Sequence, residues 1–379
     1  MKEWGRRVAA LAGQLAALDG VDPQWAAVFA DVPRHIFVPR FYSDVDGPQI
    51  VDGTDPGCAE EWLDGVYSDE SLVTQCSLIP GSTDLWQSAS SSTRPSLMAR
   101  MLTLLDVHDG QSVLEIGTGT GYNAALLCRR LGSSNVASVD IDDELVGAAR
   151  WSLSTLGLYP ALAATQGAAG FPEHAPYDRI IATCAVRTIP PAWVAQLRPD
   201  GLIVADLRGE LASNLLVARG NGDGTVSGRF LAEPGHFMWL RAQADNPLRD
   251  GGRLATRIDY DDARTTTTQL NPAILAEPAF RFLLQLTAPN VGQIWTAIRD
   301  GRTLVRVSGD GGAWADLDPA TGALTQGGPV DLFEYIDYAA GLWDRLGYPE
   351  PGRFGITAGP VGQTGWLDSP QHPVPTMTS

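Results

Sequence analysis

The sequence predicts an α/β fold built on a doubly wound, Rossmann-like sheet, and three observations predict it. Short apolar strands alternate with helix-forming segments across residues 101–242. One strand, Ser112–Ile116, runs into three glycines on alternate positions, and good helix formers follow. A second strand ends in Asp140, 19 residues after the last of these glycines. Strand, loop and helix units of this kind build nucleotide-binding sheets.

For the N-terminal section, residues 1–100, the sequence predicts helices followed by a loop. Apolar residues repeat at helical spacing from Val8 to Leu18, and Asp22-Pro23 opens a second helix. Between Arg40 and Arg94 the chain carries ten carboxylates and no basic residue. We expect a solvated loop region there. The alternative is an acidic lid that attracts a cationic cofactor or peptide.

The sequence predicts that residues 101–242 form the sheet itself. The expected elements are helices at 96–105, 123–131, 142–150 and 191–197 and strands at 112–116, 135–139, 177–183 and 201–205. Ligands of such sheets bind outside the carboxyl ends of the strands. Glu115, Asp140 and Thr183 are expected to lie at that edge.

The remaining residues predict a linker and a small C-terminal α+β module. Residues 243–271 are polar and rich in turn-forming pairs, so we place a linker there. Residues 272–379 hold three strand-like pieces separated by Gly and Asp turns, followed by a helix whose apolar residues share one face. No motif in this module predicts chemistry, and we expect it to recognise a peptide.

Composition excludes several classes of function. The net charge of −17 argues against a nucleic-acid partner, because such affinity comes from Lys and Arg on phosphates. No apolar run is long enough to span a bilayer, and Gln14 interrupts the segment that resembles a signal peptide. We therefore expect a cytoplasmic protein without a membrane partner. The four cysteines lie far apart, so no metal site or disulfide framework is predicted. The oligomeric state stays open.

The spacing of the three glycines within 117–121 indicates the kind of nucleotide. A dinucleotide fingerprint, G-x-G-x-x-G, would need its third glycine at 122, where the chain has Tyr122. Glu115 and Asp140 place two carboxylates at two strand ends, which suits a ligand with a sulfonium, an ammonium and a diol. The alternative is a cofactor-free glycine turn in another kind of α/β protein.

Six ordered blocks between about residue 30 and residue 242 resemble the protein-L-isoaspartate O-methyltransferase family. The blocks are Val32-Pro-Arg34 with Phe37-Val-Pro39, Tyr67-Ser-Asp69, Ser90–Pro95, Leu114–Tyr122, Ala175–Asp178, and Ile189-Pro-Pro191 with Gln196–Gly201. The resemblance implies a class I methyltransferase fold with S-adenosylmethionine as cofactor and S-adenosylhomocysteine as its product.

The resemblance also implies site residues. The cofactor-binding residues are Glu115, Gly117, Thr118, Gly119, Gly121, Tyr122, Asp140, Ile141, Gln166, Gly167 and Thr183. Ser92, Thr93 and Arg94 fall in the family's substrate-proximal segment and are the catalytic candidates. No metal is implied.

Two departures from the family pattern affect these assignments. Gln166 replaces the family's aspartate at the adenine amino group, although its amide oxygen can still accept a hydrogen bond. Thr93 replaces the family's serine, and Arg94 is an added cation that can pair with a substrate carboxylate. For Thr93 and Arg94 the alternative is a plain loop before the helix that starts at Pro95.

The implied activity is that of a carboxyl O-methyltransferase esterifying an aspartate or isoaspartate side chain of a peptide. A carboxylate is already a competent nucleophile, and the ester favours closure to a succinimide. Val73-Thr-Gln75, Ser90–Ala99 and the C-terminal extension resemble a subgroup associated with ribosomally made peptides, either linked by an ATP-grasp ligase or containing lanthionine. We therefore expect a modified precursor peptide as partner. General isoaspartate repair and a methyltransferase-like binding protein without turnover are the alternatives.

Overall fold

The computed structural model describes residues 3–43, 49–78, 86–241, 258, 260–261 and 263–377. The described strands form three sheets, of four, nine and five strands. The nine-stranded sheet is the largest of the three, and the other two are built from strands within residues 40–92 and 264–327.

The N-terminal section holds three helices and the four-stranded sheet. Its elements are α1 (Glu3–Ala16), α2 (Pro23–Asp31), β1 (Arg40–Ser43), β2 (Gln49–Asp52), α3 (Ala59–Val66), β3 (Leu72–Leu78) and β4 (Trp86–Ser92). The strands pair in the order β2-β1-β3-β4, all antiparallel. Helix α2 begins as predicted, because the Asp22 side chain accepts from the Gln24 backbone N–H.

The expected loop between Arg40 and Arg94 is mostly regular structure, so that prediction is wrong. The acidic stretch also contains apolar residues that are buried, and Phe41, Val51 and Leu72 all pack in the core of this section. Two parts of the expected loop, residues 44–48 and 79–85, lie outside the described residues.

The central sheet contains the predicted doubly wound unit. Its elements are α4 (Pro95–Leu105), β5 (Val113–Ile116), α5 (Tyr122–Leu131), β6 (Val136–Asp140), α6 (Asp143–Thr155), β7 (Ala161–Ala164), β8 (Tyr177–Val186), α7 (Pro191–Gln196), β9 (Leu197–Arg208), β10 (Ser213–Gly220) and β11 (Val226–Phe230). Strands β9, β8, β5, β6 and β7 are parallel neighbours in that order. The α/β prediction is confirmed, and the antiparallel hairpin β10–β11 was not predicted.

Alternate residues of the central strands pack on opposite faces. Val113 joins the cluster formed with α1, α2, α4 and α5, whereas Leu114 and Ile116 join the cluster that covers the other face. That second cluster contains Trp193 of α7 and residues from the C-terminal part of the chain. Both faces of the sheet are therefore buried, as a parallel sheet requires.

The C-terminal part builds a five-stranded antiparallel sheet and then returns to the central sheet. Its elements are β12 (Arg264–Thr267), α8 (Pro278–Thr287), β13 (Val291–Arg299), β14 (Arg302–Gly309), β15 (Trp314–Leu317), β16 (Ala323–Gly327), α9 (Leu332–Arg345), β17 (Phe354–Gly359) and β18 (Gly362–Leu367). Strand β17 pairs with β11, so β17 and β18 extend the central sheet.

These connections correct the predicted boundaries. Strand β12 pairs with β16, so the predicted linker over 243–271 ends before Arg264, and residues 242–257 lie outside the described residues. Phe282 of α8 and Leu342 of α9 pack on the second face of the central sheet. The residues of the predicted module over 272–379 therefore bury a core of their own, which includes Leu284, Leu317 and Leu332, and they also contribute side chains to the second face of the central sheet.

Within the described ranges, every helix is too short or too polar to cross a membrane.

Candidate active site

A cavity of about 480 Å³ opens at the carboxyl ends of the central strands. Its floor is the glycine loop after β5, and the ends of β6 and β8 flank that loop. Strand β4 and the segment Gly235–Arg241 supply the remaining walls. The cavity therefore joins the predicted nucleotide loop to the N-terminal section.

The glycine loop adopts a backbone that requires glycine. Gly117, Gly119 and Gly121 have φ values of +99°, +50° and +85°. A Cβ on Gly117 would stand 2.7 Å from Thr183 Oγ1, and one on Gly121 would stand 2.8 Å from Ala149 Cβ on α6. Gly119 faces open space instead, with no atom closer than 3.8 Å to an added Cβ. The outer glycines pack the loop, and the middle one leaves room for a ligand.

Glu115 lies fully buried beneath this loop. Asn123 Nδ2 donates to its Oε1 at 2.7 Å, and Ser138 Oγ donates to its Oε2 at 2.5 Å. Ser138 also bonds Thr118 Oγ1 at 2.6 Å, so the network reaches the loop itself. Burial raises the pKa of Glu115 to about 7. Both carboxylate oxygens of Glu115, the carboxylate predicted to bind the cofactor, thus already accept hydrogen bonds from protein side chains.

Asn123 and Ser138 were missed by the sequence reasoning. Ser138 is a polar residue inside the otherwise apolar strand β6, and this exception is the sequence signal that could have indicated its role. Asn123 Oδ1 is buried and has no hydrogen-bond partner in the part of the chain that the structure describes, and Asn123 lines the cavity. This atom is an acceptor available to a ligand.

Asp140 supports the loop and faces the cavity. Its Oδ2 accepts from the Gly119 backbone N–H at 2.9 Å, and its Oδ1 lies 3.4 Å from Arg241. Ile141, the next residue, is half-buried and lines the cavity. Tyr122 also lines it, but its ring is buried against Phe29.

Of the other predicted cofactor residues, Thr183 and Gly167 line the cavity, whereas Gln166 does not. Thr183 Oγ1 donates to the Gly117 carbonyl at 2.7 Å, so it fixes the loop. Gly167 lines the cavity, and an added Cβ there would stand 2.7 Å from Leu240. Gln166 is exposed and lies outside the cavity lining, so its predicted contact with adenine stays a prediction.

The substrate-proximal segment is held by Arg34. This fully buried guanidinium makes six hydrogen bonds, including Nε to Ser92 Oγ at 3.1 Å and NH2 to the Thr93 carbonyl at 3.1 Å. Ser92 and Thr93 line the cavity. Arg94 is exposed and lies outside the lining, so its predicted carboxylate contact stays a prediction. Arg34 belongs to the first of the six family-like blocks, Val32-Pro-Arg34, but the sequence did not predict its role.

The cavity fits the S-adenosylmethionine that the family resemblance implies. Gly119, Asn123 and Asp140 all line it; Gly119 has an open face, and Asn123 carries a buried Oδ1 that has no partner among the described residues. These groups suit a ligand that needs close backbone approach, a hydrogen-bond acceptor and a partner for a diol. Among the described residues, no group of His, Cys, Asp and Glu could hold a metal ion.

Comparisons with known proteins agree with this geometry. A family model described as protein-L-isoaspartate(D-aspartate) O-methyltransferase matches residues 66–236. The chain is 33% identical over 211 residues to the protein-L-isoaspartate O-methyltransferase of Paramagnetospirillum magneticum, covering 55% of this chain and 81% of that protein. It is also 33% identical over 229 residues to protein-L-isoaspartate O-methyltransferase 1 of Cupriavidus necator, covering 59% and 75%.

A solved structure described as a protein-L-isoaspartate O-methyltransferase shares the fold of nearly the whole chain. It covers 96% of this chain and 100% of its own, with a TM-score of 0.56 and 21% identity. The C-terminal part is therefore not peculiar to this chain, and its presence alone does not separate a special subgroup.

Proposed function

The chain belongs to the protein-L-isoaspartate O-methyltransferase family, and on that premise we propose that it esterifies the free carboxylate of an isoaspartyl or aspartyl residue in a peptide. Enzymes of this family are S-adenosylmethionine-dependent carboxyl methyltransferases. The observation that carries the proposal is one cavity bordered both by the glycine loop and by Ser92 and Thr93.

The cofactor-side residues would hold S-adenosylmethionine, which supplies an electrophilic methyl group when bound. We assign Asp140 to the ribose hydroxyls and Asn123 Oδ1, with Glu115 behind it, to the ammonium. Gly119 allows the backbone to approach closely, and Thr183 keeps the loop in shape. Gln166 is proposed at the adenine edge.

The acceptor-side residues position a nucleophile that needs no activation. An aspartyl or isoaspartyl carboxylate is ionised at neutral pH, so no side chain has to remove a proton. Ser92 and Thr93 lie at the cavity wall, and Arg34 donates to both of their carbonyls and to the Ser92 hydroxyl. The task of these residues is alignment and exclusion of water. In the ester, the next backbone amide nitrogen can attack the carbonyl, releasing methanol and closing a succinimide.

A finer substrate, a cyclised or lanthionine-containing ribosomal peptide, is the second candidate. Its support is the resemblance in Val73-Thr-Gln75 and Ser90–Ala99, together with the position of Ser90 to Thr93 at the cavity wall. The C-terminal part no longer adds support, because the fold of that part is shared. Deleting the residues from 272 onward cannot test the role of the C-terminal part, because the deletion would also remove β17 and β18 from the central sheet.

Intact-mass spectrometry tests the proposal. The protein is incubated with S-adenosylmethionine and three peptides of one sequence, carrying isoaspartate, aspartate or a macrocyclic aspartate. We expect the gain of one methyl group in a base-labile form, followed by loss of methanol. A methyl group that survives mild base would contradict a carboxyl ester. Calorimetry with S-adenosylhomocysteine distinguishes an inactive binding protein, since absence of cofactor binding would favour that alternative.

A further inference from the structure

Arg208 is a cation on the wall of the cavity that none of the roles above uses. It is the last residue of β9 and lines the cavity. Its NH1 donates to the Phe237 carbonyl at 2.6 Å, and its guanidinium lies 5.3 Å from the centre of the Trp239 ring. We propose that Arg208 binds the acceptor carboxylate of the peptide, an inference that rests on the function proposed above.

The charges around the cavity single out Arg208. Arg241 also lines the cavity, but it is paired with Asp140 and Asp142. In the described part of the chain, Arg208 has no carboxylate within ion-pair distance. Asp206 interacts electrostatically with Arg208, but its oxygens already accept hydrogen bonds from Ser213 Oγ and from the Phe237 backbone N–H. The positive charge of Arg208 is therefore available to a ligand.

The position of Arg208 is on the side of the cavity away from Asp140. The strand order β9, β8, β5, β6 puts three inter-strand spacings between the ends of β9 and β6. At about 4.8 Å each, these spacings separate the two strand ends by about 14 Å. Helix α4, which follows Thr93, packs against β8 and β9. Arg208 thus lies towards the acceptor segment rather than towards the proposed ribose site.

The chemistry of the guanidinium suits this role. Because NH1 is held by the Phe237 carbonyl, the guanidinium is oriented, and among the described residues no group accepts from its Nε or NH2. If they hold one oxygen of a carboxylate, the second oxygen stays free as the nucleophile. The chain carries a net charge of −17, which repels anionic peptides, and a local cation offsets that repulsion.

Arg187 provides a matched control. Its guanidinium lies 4.9 Å from the same Trp239 ring, but it pairs with Glu210 and does not line the cavity. Replacing Arg187 with glutamine removes an arginine from the same aromatic contact without touching the cavity. An effect of Trp239 packing alone would therefore appear in both Arg208→Gln and Arg187→Gln.

Calorimetry measures the role directly. A short isoaspartyl peptide is titrated into protein saturated with S-adenosylhomocysteine, alongside the same peptide with its free carboxyl converted to an amide. For Arg208→Gln we expect about a 10- to 100-fold loss of peptide affinity, the range for a hydrogen bond to a charged group. Arg208→Lys should recover part of it, and Arg187→Gln should stay within about twofold of wild type. Wild type should prefer the acid over the amide, and Arg208→Gln should lose that preference.

Three results would overturn the inference. They are an unchanged acid-over-amide preference in Arg208→Gln, an equal loss in Arg187→Gln, and a parallel loss of S-adenosylhomocysteine affinity in Arg208→Gln. The last result would assign the cation to the cofactor. A wild-type protein that neither binds nor methylates the isoaspartyl peptide would instead contradict the proposed function. An active wild type with an unaffected Arg208→Gln contradicts only the role of Arg208.

Discussion

Replacing Arg34 with methionine should lower the free energy of unfolding by about 3 kcal/mol, because this buried cation holds three separate segments together. Its partners are the carbonyls of Val66, Ser68, Glu70, Ser92 and Thr93 and the Ser92 hydroxyl. They come from the end of α3, the segment before β3, and the segment before α4. Methionine has a similar length but donates no hydrogen bond.

The magnitude follows from two opposing terms. Six hydrogen bonds at about 1 kcal/mol each favour the folded state by roughly 6 kcal/mol. Burial lowers the pKa of the Arg34 guanidinium to about 10, a shift that corresponds to a cost of about 3 kcal/mol for keeping the cation buried. The net contribution is therefore about 3 kcal/mol. Lysine should recover only part of it, since an ammonium offers at most three donors.

Urea denaturation followed by circular dichroism measures this change. Arg40→Met is the control, because Arg40 is an exposed arginine of the same section and should lose no more than about 0.5 kcal/mol. Methyl transfer by Arg34→Met should also fall at temperatures where the variant is folded, since Ser92 and Thr93 lose their anchor. A loss below about 1 kcal/mol would refute the view that Arg34 organises this section.

Three further predictions concern the glycine loop and its carboxylates. Burial raises the pKa of Glu115 to about 7, so the folded state binds more protons than the unfolded state between about pH 4.5 and about pH 7. The free energy of unfolding should therefore fall by up to about 3 kcal/mol as pH rises through this window. Denaturation at several pH values should show this fall in wild type but not in Glu115→Gln, and equal slopes would contradict it. Gly121→Ala should cost at least about 1 kcal/mol more than Gly110→Ala, measured by thermal unfolding. Both have positive φ, but only the Cβ at Gly121 would meet a side chain of α6; equal costs would argue against close packing. Asp140→Ala should weaken S-adenosylhomocysteine binding by about 1–3 kcal/mol in calorimetry, with Asp140→Asn in between. Wild-type affinity in both would remove Asp140 from the cofactor site.

The predicted positions of the glycine loop, Asp140 and Thr183 agree with the structure, because their signals in the sequence are local. The glycine spacing anticipated a loop with three positive φ values, and Asp140 does meet the loop through the Gly119 backbone N–H. Thr183 lies beside Gly117, as expected for neighbouring parallel strands. Each of these contacts follows from strand ends meeting at one edge of a parallel sheet.

The prediction failed where charge was taken as evidence of exposure. The acidic stretch after Arg40 contains strands of the four-stranded sheet and helix α3, because Phe41, Val51 and Leu72 are buried while most of the described carboxylates lie on α3 or in turns. Gln166 and Arg94 are exposed and lie outside the cavity lining, so their assignments to the adenine and to a substrate carboxylate stay predictions. Block position identifies a backbone location but does not specify where a side chain points.

The sequence by itself determined the class of fold, the family and the nucleotide loop, because glycine conformation, strand periodicity and helix starts depend on neighbouring residues. Only the tertiary structure decided that Arg34 anchors the segment at Ser92 and Thr93, that β17 completes the central sheet and that Arg208 faces the cavity. Each of these contacts depends on chain segments far apart in the sequence. Their distances are set by packing of the whole core rather than by any local pattern.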